Sequence, residues 1–147
     1  MSVSKIIVMG VSGCGKSLIG TRLAERLQVP FFDADDFHSP ANVAKMASGV
    51  LLACSALKRA YRDRLRSGNP SLQFVYLKGD METIWSRHSS REDHYFNGRS
   101  MLESQFRTLE EPEPGEGAIV VYVCEPPDRI VERCLAVLST PDRRRKN

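Results

Sequence analysis

A short β-branched run, Lys5-Ile6-Ile7-Val8-Met9, stops at a glycine and opens directly into Gly10-Val11-Ser12-Gly13-Cys14-Gly15-Lys16-Ser17. This octet fits G-x-x-x-x-G-K-[ST] in full, and it stands between a strand pattern and a helix pattern, where the motif's mechanism needs it. From Ser17 onward Leu18, Ile19, Leu23, Ala24 and Leu27 recur at helical spacing, so an amphipathic helix follows to about Leu27. The glycines let successive backbone N–H groups turn inward around phosphate oxygens, helped by the positive end of the helix. Lys16 can then reach the outer phosphates of a nucleotide such as ATP, and the Ser17 hydroxyl is placed to bind Mg²⁺. A glycine-rich turn with a chance lysine is the bland alternative, and the strand-loop-helix context weighs against it. Cys14 sits inside the loop, where a helix N-terminus can lower a thiol pKa, although a small residue tolerated in a tight place is the simpler account.

The remaining pattern alternates strands with helices. Val29 to Phe32 reads as a second strand, ending in the acidic cluster Asp33-Ala34-Asp35-Asp36. Ser39-Pro40 opens a helix carrying Val43, Ala44 and Met46, as residues at the N-cap and first position do. Val50 to Cys54 is a third strand, Leu57 to Leu65 an arginine-rich helix, Leu72 to Leu77 a fourth strand and Met81 to His88 a helix. Arg99 to Leu109 is a further helix stopped near Pro112 and Pro114, Ala118 to Val123 a fifth strand, and Asp128 to Leu138 the closing helix. Such alternation predicts an α/β fold in three layers, with a parallel five-stranded sheet covered on both faces. With 147 residues the chain suits one domain, 1–147.

Composition narrows the class. Hydrophobic residues make up 41% and charged residues 27%, the balance of a globular protein. No apolar stretch approaches membrane-span length, and the run at the N-terminus is too short for a signal peptide. The four cysteines, Cys14, Cys54, Cys124 and Cys134, form no C-x-x-C pair, so reduced thiols and a cytoplasmic setting are expected. The net charge of +3 is mild, and Arg143-Arg144-Arg145-Lys146 accounts for it as a solvated basic end. Without interleaved aromatic residues this tail does not predict nucleic-acid binding.

Asp33 and Asp35 fall at the C-terminal end of the second strand, the sheet edge where α/β proteins bind ligands. A carboxylate there can hold Mg²⁺ through water or take a proton from an attacking hydroxyl. Alternation sends these two the same way and Asp36 the other, so Asp36 and Ser39 suit helix capping. His38 near the helix start serves structure or substrate equally well. Arg87 and Arg91 lie four apart, as two arginines on one face of a lid over a transferring phosphoryl group would, or two on a solvated face. Trp85 is expected to pack in the core or beneath that lid. Lys58, Arg59, Arg62 and Arg64 form a basic stripe suited to an anionic substrate or to an exposed helix face.

Taken together these stretches resemble the gluconokinases, kinases of the P-loop, shikimate-kinase-like type. The resemblance rests on GVSGCGKS at 10–17, DADDFH at 33–38, ANVAKM at 41–46, ACSALKRAYRDRLR at 53–66, HYF at 94–96, LESQFRTLEEPE at 102–113 and EPP at 125–127. It implies a nucleoside-monophosphate-kinase-like P-loop NTPase fold that phosphorylates D-gluconate at its 6-hydroxyl with ATP and Mg²⁺, commonly as a homodimer. It implies Asp35 as acceptor of the hydroxyl proton, Asp33 and Ser17 nearer the metal, and Arg91 as the lid arginine beside Lys16. His38, Lys45, Ser55, Lys58 and Arg59 resemble sugar-acid contacts, His94 and Gln105 lie in the lid-to-substrate region, and Cys124 to Pro127 near the adenine. The lid then spans about 86–106.

The resemblance breaks at one place. Where such kinases continue after K-M-x-x-G with a segment like P-L-x-D-x-D-R-x-P-W-L and a further helix, Gly49 runs straight into Val50-Leu51-Leu52-Ala53. The substrate-binding region, about 35–49, is therefore truncated, and an arginine expected near substrate is absent. Sixteen residues remain between Asp33 and Val50, above the roughly 10 to 12 that a crossover needs. The expectation is a domain that closes with reduced stability and some uncovered apolar sheet, binds nucleotide, and phosphorylates gluconate weakly or not at all. Two rivals stand beside this reading: a kinase for another anionic hydroxyl compound such as shikimate, and a nucleotide-binding isoform without catalysis that acts as a dimerisation partner.

Overall fold

The computed structural model describes residues 5–11, 14–33, 49–67, 72–89 and 98–138. Strand β1 (Lys5–Met9) leads through the glycine-rich loop into helix α1 (Lys16–Leu27), followed by β2 (Phe31–Asp33) and β3 (Val50–Ala53). Helix α2 (Arg59–Ser67), β4 (Leu72–Lys78), α3 (Met81–Ser89) and α4 (Gly98–Thr108) come next. A 3₁₀ turn (Pro114–Glu116), β5 (Ile119–Tyr122) and α5 (Pro127–Leu138) complete the order. All four strand pairings are parallel, in the order β2-β3-β1-β4-β5. The central position of β1 explains its apolar run: Ile6, Ile7, Val8 and Met9 are buried on both faces.

Each face has its own cover. Ile6, Val8, Leu51, Val75, Leu77 and Val121 pack with Ile19, Leu23 and Ala24 of α1 and Ile130, Val131 and Cys134 of α5. The opposite face, Ile7, Met9, Val50, Leu52, Phe74 and Tyr76, packs with Leu65 of α2 and is flanked by Tyr61 and Leu109. Trp85 packs against the first cluster, one of the two places expected for it.

The boundaries that shift have local causes. Strand β2 starts at Phe31 because the amide of Val29 is spent on the Ala24 carbonyl, closing α1, with Gln28 left-handed at φ 59°. Helix α2 starts at Arg59 because Leu57 offers its carbonyl to the amide of Glu110 instead. Strand β3 enters the sheet immediately after Gly49, in register with β1 from Lys5↔Val50 to Val8↔Ala53. All four of its residues are at most 2% exposed, so at β3 the expected uncovered apolar surface is not found. The reason is that α1 lies over Leu51 on one face while α2 closes the cluster holding Val50 and Leu52 on the other. The helix expected after Ser39-Pro40 lies outside the described residues.

Candidate active site at the strand ends

At the head of β1 the loop is built by backbone geometry. Gly10 has φ +150°, and a Cβ there would stand 2.7 Å from Cys14 Sγ and 3.1 Å from the Leu77 carbonyl oxygen. Gly15 has φ +99° as it caps α1, a conformation that L side chains rarely adopt. Both glycines of the motif are thus required by shape. The Lys16 ammonium donates to the carbonyls of Gly10 (2.9 Å) and Val11 (3.1 Å), which stations it across the loop. Cys14 is buried, and burial raises its thiol pKa more than the nearby Lys16 charge lowers it. Helix-end activation therefore loses to desolvation, and Cys14 is the small residue in a tight place that the simpler account expects.

Ser17 and Asp33 come together. The Ser17 hydroxyl donates to Asp33 Oδ2 at 3.2 Å, bringing the first turn of α1 to the end of β2. The pair is oxygen-rich and hard, the donor type that suits Mg²⁺ with phosphate and water completing its shell. Among the described residues no cluster of three or more His, Cys, Asp or Glu is placed to hold a metal.

Ser55 lies just past β3 beside the phosphate loop, its carbonyl accepting the Gly10 amide at 3.3 Å. Lys58 and Arg59 are exposed and face carboxylates: Lys58 Nζ stands 3.8 Å from Glu110 Oε2, and Arg59 Nη1 3.6 Å from Glu113 Oε1. Gln105 lies on α4, its carbonyl accepting the Leu109 amide. Cys124 is exposed in the turn between β5 and α5. Ser12, Gly13, Asp35, His38, Lys45, Arg91 and His94 lie outside the described residues, as do Asp36, Ser39 and the span 90–97 of the lid.

Two features escape sequence reading. Arg62, grouped above in a basic stripe suited to an anionic substrate or to an exposed helix face, is wholly buried and does neither. Its Nε and Nη2 donate to Glu116 Oε1 (2.9 Å) and Oε2 (3.0 Å), its Nη1 to the Ala56 carbonyl (2.8 Å) and its Nη2 also to the Glu110 carbonyl (2.8 Å). Arg66 adds a 2.7 Å bond to Glu116 and stacks over Phe74. These guanidinium bonds hold the Glu116 carboxyl down from 4.5 to about 2 against the opposing push of burial. A signal was available: Arg62 stands three residues before Leu65 and so shares the buried face of α2. The second feature is Ala56, buried at φ +46°, a left-handed alanine at the end of β3 that no pattern foretells.

Comparison with known proteins then places the chain. A family model described as shikimate kinase matches residues 12–52, a span that crosses the Gly49 junction. The chain is similar to the thermoresistant gluconokinase of Escherichia coli K12, 38% identical with 90% of this chain and 92% of the relative covered. It is 33% identical to the gluconokinase of Gluconobacter oxydans, with 93% and 92% covered. A solved gluconokinase from Sinorhizobium meliloti superposes with a TM-score of 0.81 at 35% identity, covering 92% of this chain and 91% of that one. With the E. coli relative the alignment runs over 162 positions, yet 90% of 147 residues supplies only about 132, so about 30 positions inside the matched span have no counterpart here.

Proposed function

This chain belongs to the gluconokinase family, and we propose that it transfers the terminal phosphoryl group of ATP to the 6-hydroxyl of D-gluconate as a single domain spanning 1–147. The observation that carries the reading is the junction of Lys16, Ser17 and Asp33 at one end of the sheet: a lysine held across a phosphate-shaped loop, beside a hydroxyl and carboxylate 3.2 Å apart. The loop amides of Gly10 to Ser17 and the Lys16 ammonium hold the phosphates and take up charge as it moves onto the leaving oxygen. Ser17 and Asp33 would hold Mg²⁺, which would supply neutralisation of phosphate charge. Asp35, two residues beyond Asp33, takes the proton of the attacking hydroxyl as the new P–O bond forms and the bond to ADP breaks. Arg91 balances charge on the transferring group from the lid at about 86–106. His38, Lys45, Ser55, Lys58, Arg59, His94 and Gln105 orient the sugar acid. Among the described residues no helix is long and apolar enough to cross a membrane; a cytoplasmic homodimer is the setting this reading implies.

The positions missing relative to the E. coli enzyme favour a second reading, nucleotide binding with little turnover. If they fall after Gly49, the acceptor side is abbreviated while the phosphate loop is whole, and a high KM for gluconate with ordinary ATP affinity is expected. ADP release measured with and without D-gluconate, together with the melting shift caused by Mg-ATP, separates the two. Gluconate-dependent release that disappears in Lys16→Ala supports transfer; a melting shift without release supports binding alone.

A further inference from the structure

Two of the stretches that carry the family resemblance, ACSALKR at 53–59 and SQFRTLEEPE at 104–113, are bonding partners here, and one buried arginine ties them together. We propose that Arg62 is a positioning residue for the acceptor side of the site, fixing the 55–59 loop, which carries the candidate acceptor contacts Ser55, Lys58 and Arg59, beside the phosphate loop. The substrate in this inference rests on the gluconokinase reading; the clamp rests on geometry alone.

Arg62 and Glu116 have no exposed side-chain surface, and the fork-on-fork pairing leaves the guanidinium little freedom. Its other two bonds go to the carbonyls of Ala56 and Glu110, so one side chain grips both stretches. Ala56 is the residue that needs holding, because its left-handed backbone is unfavourable for alanine and persists only where the surroundings over-determine it. Glu110 grips the same loop from the other side. Its amide donates to the Leu57 carbonyl (2.8 Å), and its carboxylate accepts the Arg59 amide (2.8 Å), capping α2. The loop is also fastened to the phosphate site, since the Ser55 carbonyl accepts the amide of Gly10. The clamp thereby sets the distance between the candidate acceptor contacts and the phosphate loop, the kind of placement on which transfer rates depend. An ion pair is a costly way to fill a core that apolar side chains fill as well. Its directional bonds to two carbonyls are what apolar groups cannot supply.

The test compares Arg62→Lys with the double variant Arg62→Met/Glu116→Leu, which keeps the core filled but leaves the Ala56 and Glu110 carbonyls without this donor. Both are expected to raise KM for D-gluconate by about tenfold or more while KM for ATP stays within about twofold. Amide exchange at Arg59 and Glu110 should quicken in both, with Ile19 and Cys54, bonded elsewhere, unchanged. A stably folded double variant with wild-type gluconate KM and wild-type exchange at Arg59 and Glu110 would overturn the proposal. If the wild type shows no gluconate turnover, the gluconokinase reading falls alone. Faster exchange at Arg59 and Glu110 then upholds the clamp, and unchanged exchange refutes it.

Discussion

The phosphate loop and the loop after β3 stand side by side, joined among the described residues by a bond from Gly10 to Ser55, yet they are held by opposite means. The first is shaped by its own residues: two glycines at positive φ and a lysine bonded five and six residues back. The second is shaped from a distance, by Glu110 and Glu116 reaching back across roughly fifty positions to Leu57, Arg59 and Arg62, and Arg62 in turn donates to the Ala56 carbonyl. Local geometry can be written in a motif, because the residues that need one another are neighbours. Long-range geometry is carried by a buried charge pair, and it couples a loop's shape to the stability of the whole domain.

This difference can be broken experimentally. Lys16→Ala removes the charge proposed to meet the phosphates and nothing that supports the core, so ATP turnover should fall by about 10²-fold or more with the melting temperature nearly unchanged. Arg62→Ala should do the reverse to the fold: the buried Glu116 loses its bidentate partner and keeps Arg66, at a cost of about 3 kcal/mol, the low end for breaking a buried pair, read by denaturant unfolding. Should Lys16→Ala destabilise as much as Arg62→Ala, the contrast between the two loops would fail.

Acid sharpens the same contrast. Glu116 has a folded pKa of about 2 against an ordinary 4.5, so the unfolded chain binds its proton first as pH falls. Its contribution is complete above about 4.5 and disappears as pH drops through about 2, a loss on the order of 3 kcal/mol. Glu116→Gln should flatten that part of the stability-against-pH curve. A variant whose curve superposes on the wild type would remove Glu116 from the account. The smallest effect belongs to the exposed pairs between α1 and α5, Arg22–Asp128 at 2.7 Å and Arg26–Glu132 at 2.8 Å. Double-mutant cycles there should return less than about 1 kcal/mol each and vanish in salt.

How much of this was legible in the sequence follows from the same division. The parallel five-stranded sheet was readable because Lys5–Met9, Val50–Ala53 and Leu72–Lys78 are apolar runs between helices of clear period. The pairing of Ser17 with Asp33 was foreseeable, since a motif places one and a strand end the other. The burial of Arg62 was hidden by its composition: among four basic residues in seven, only its phase with Leu65 marks it as inward. The role of Glu116 was hidden by distance. The Pro112 and Pro114 region reads as a helix stop, and nothing in it announces a carboxylate returning to α2. The resemblance alone gives the lysine and arginine at 58 and 59 to substrate, and the structure sets Glu110 and Glu113 beside them.

The most direct measurement is coupled ADP release by the purified chain with Mg-ATP, with and without D-gluconate, run beside Lys16→Ala and scored against the ATP-induced melting shift. The account predicts release that depends on gluconate, saturates only at high gluconate and vanishes in Lys16→Ala, with a clear melting shift in the wild type. A melting shift with no gluconate-dependent release would contradict it, and would mark the chain as a nucleotide binder whose acceptor side no longer functions.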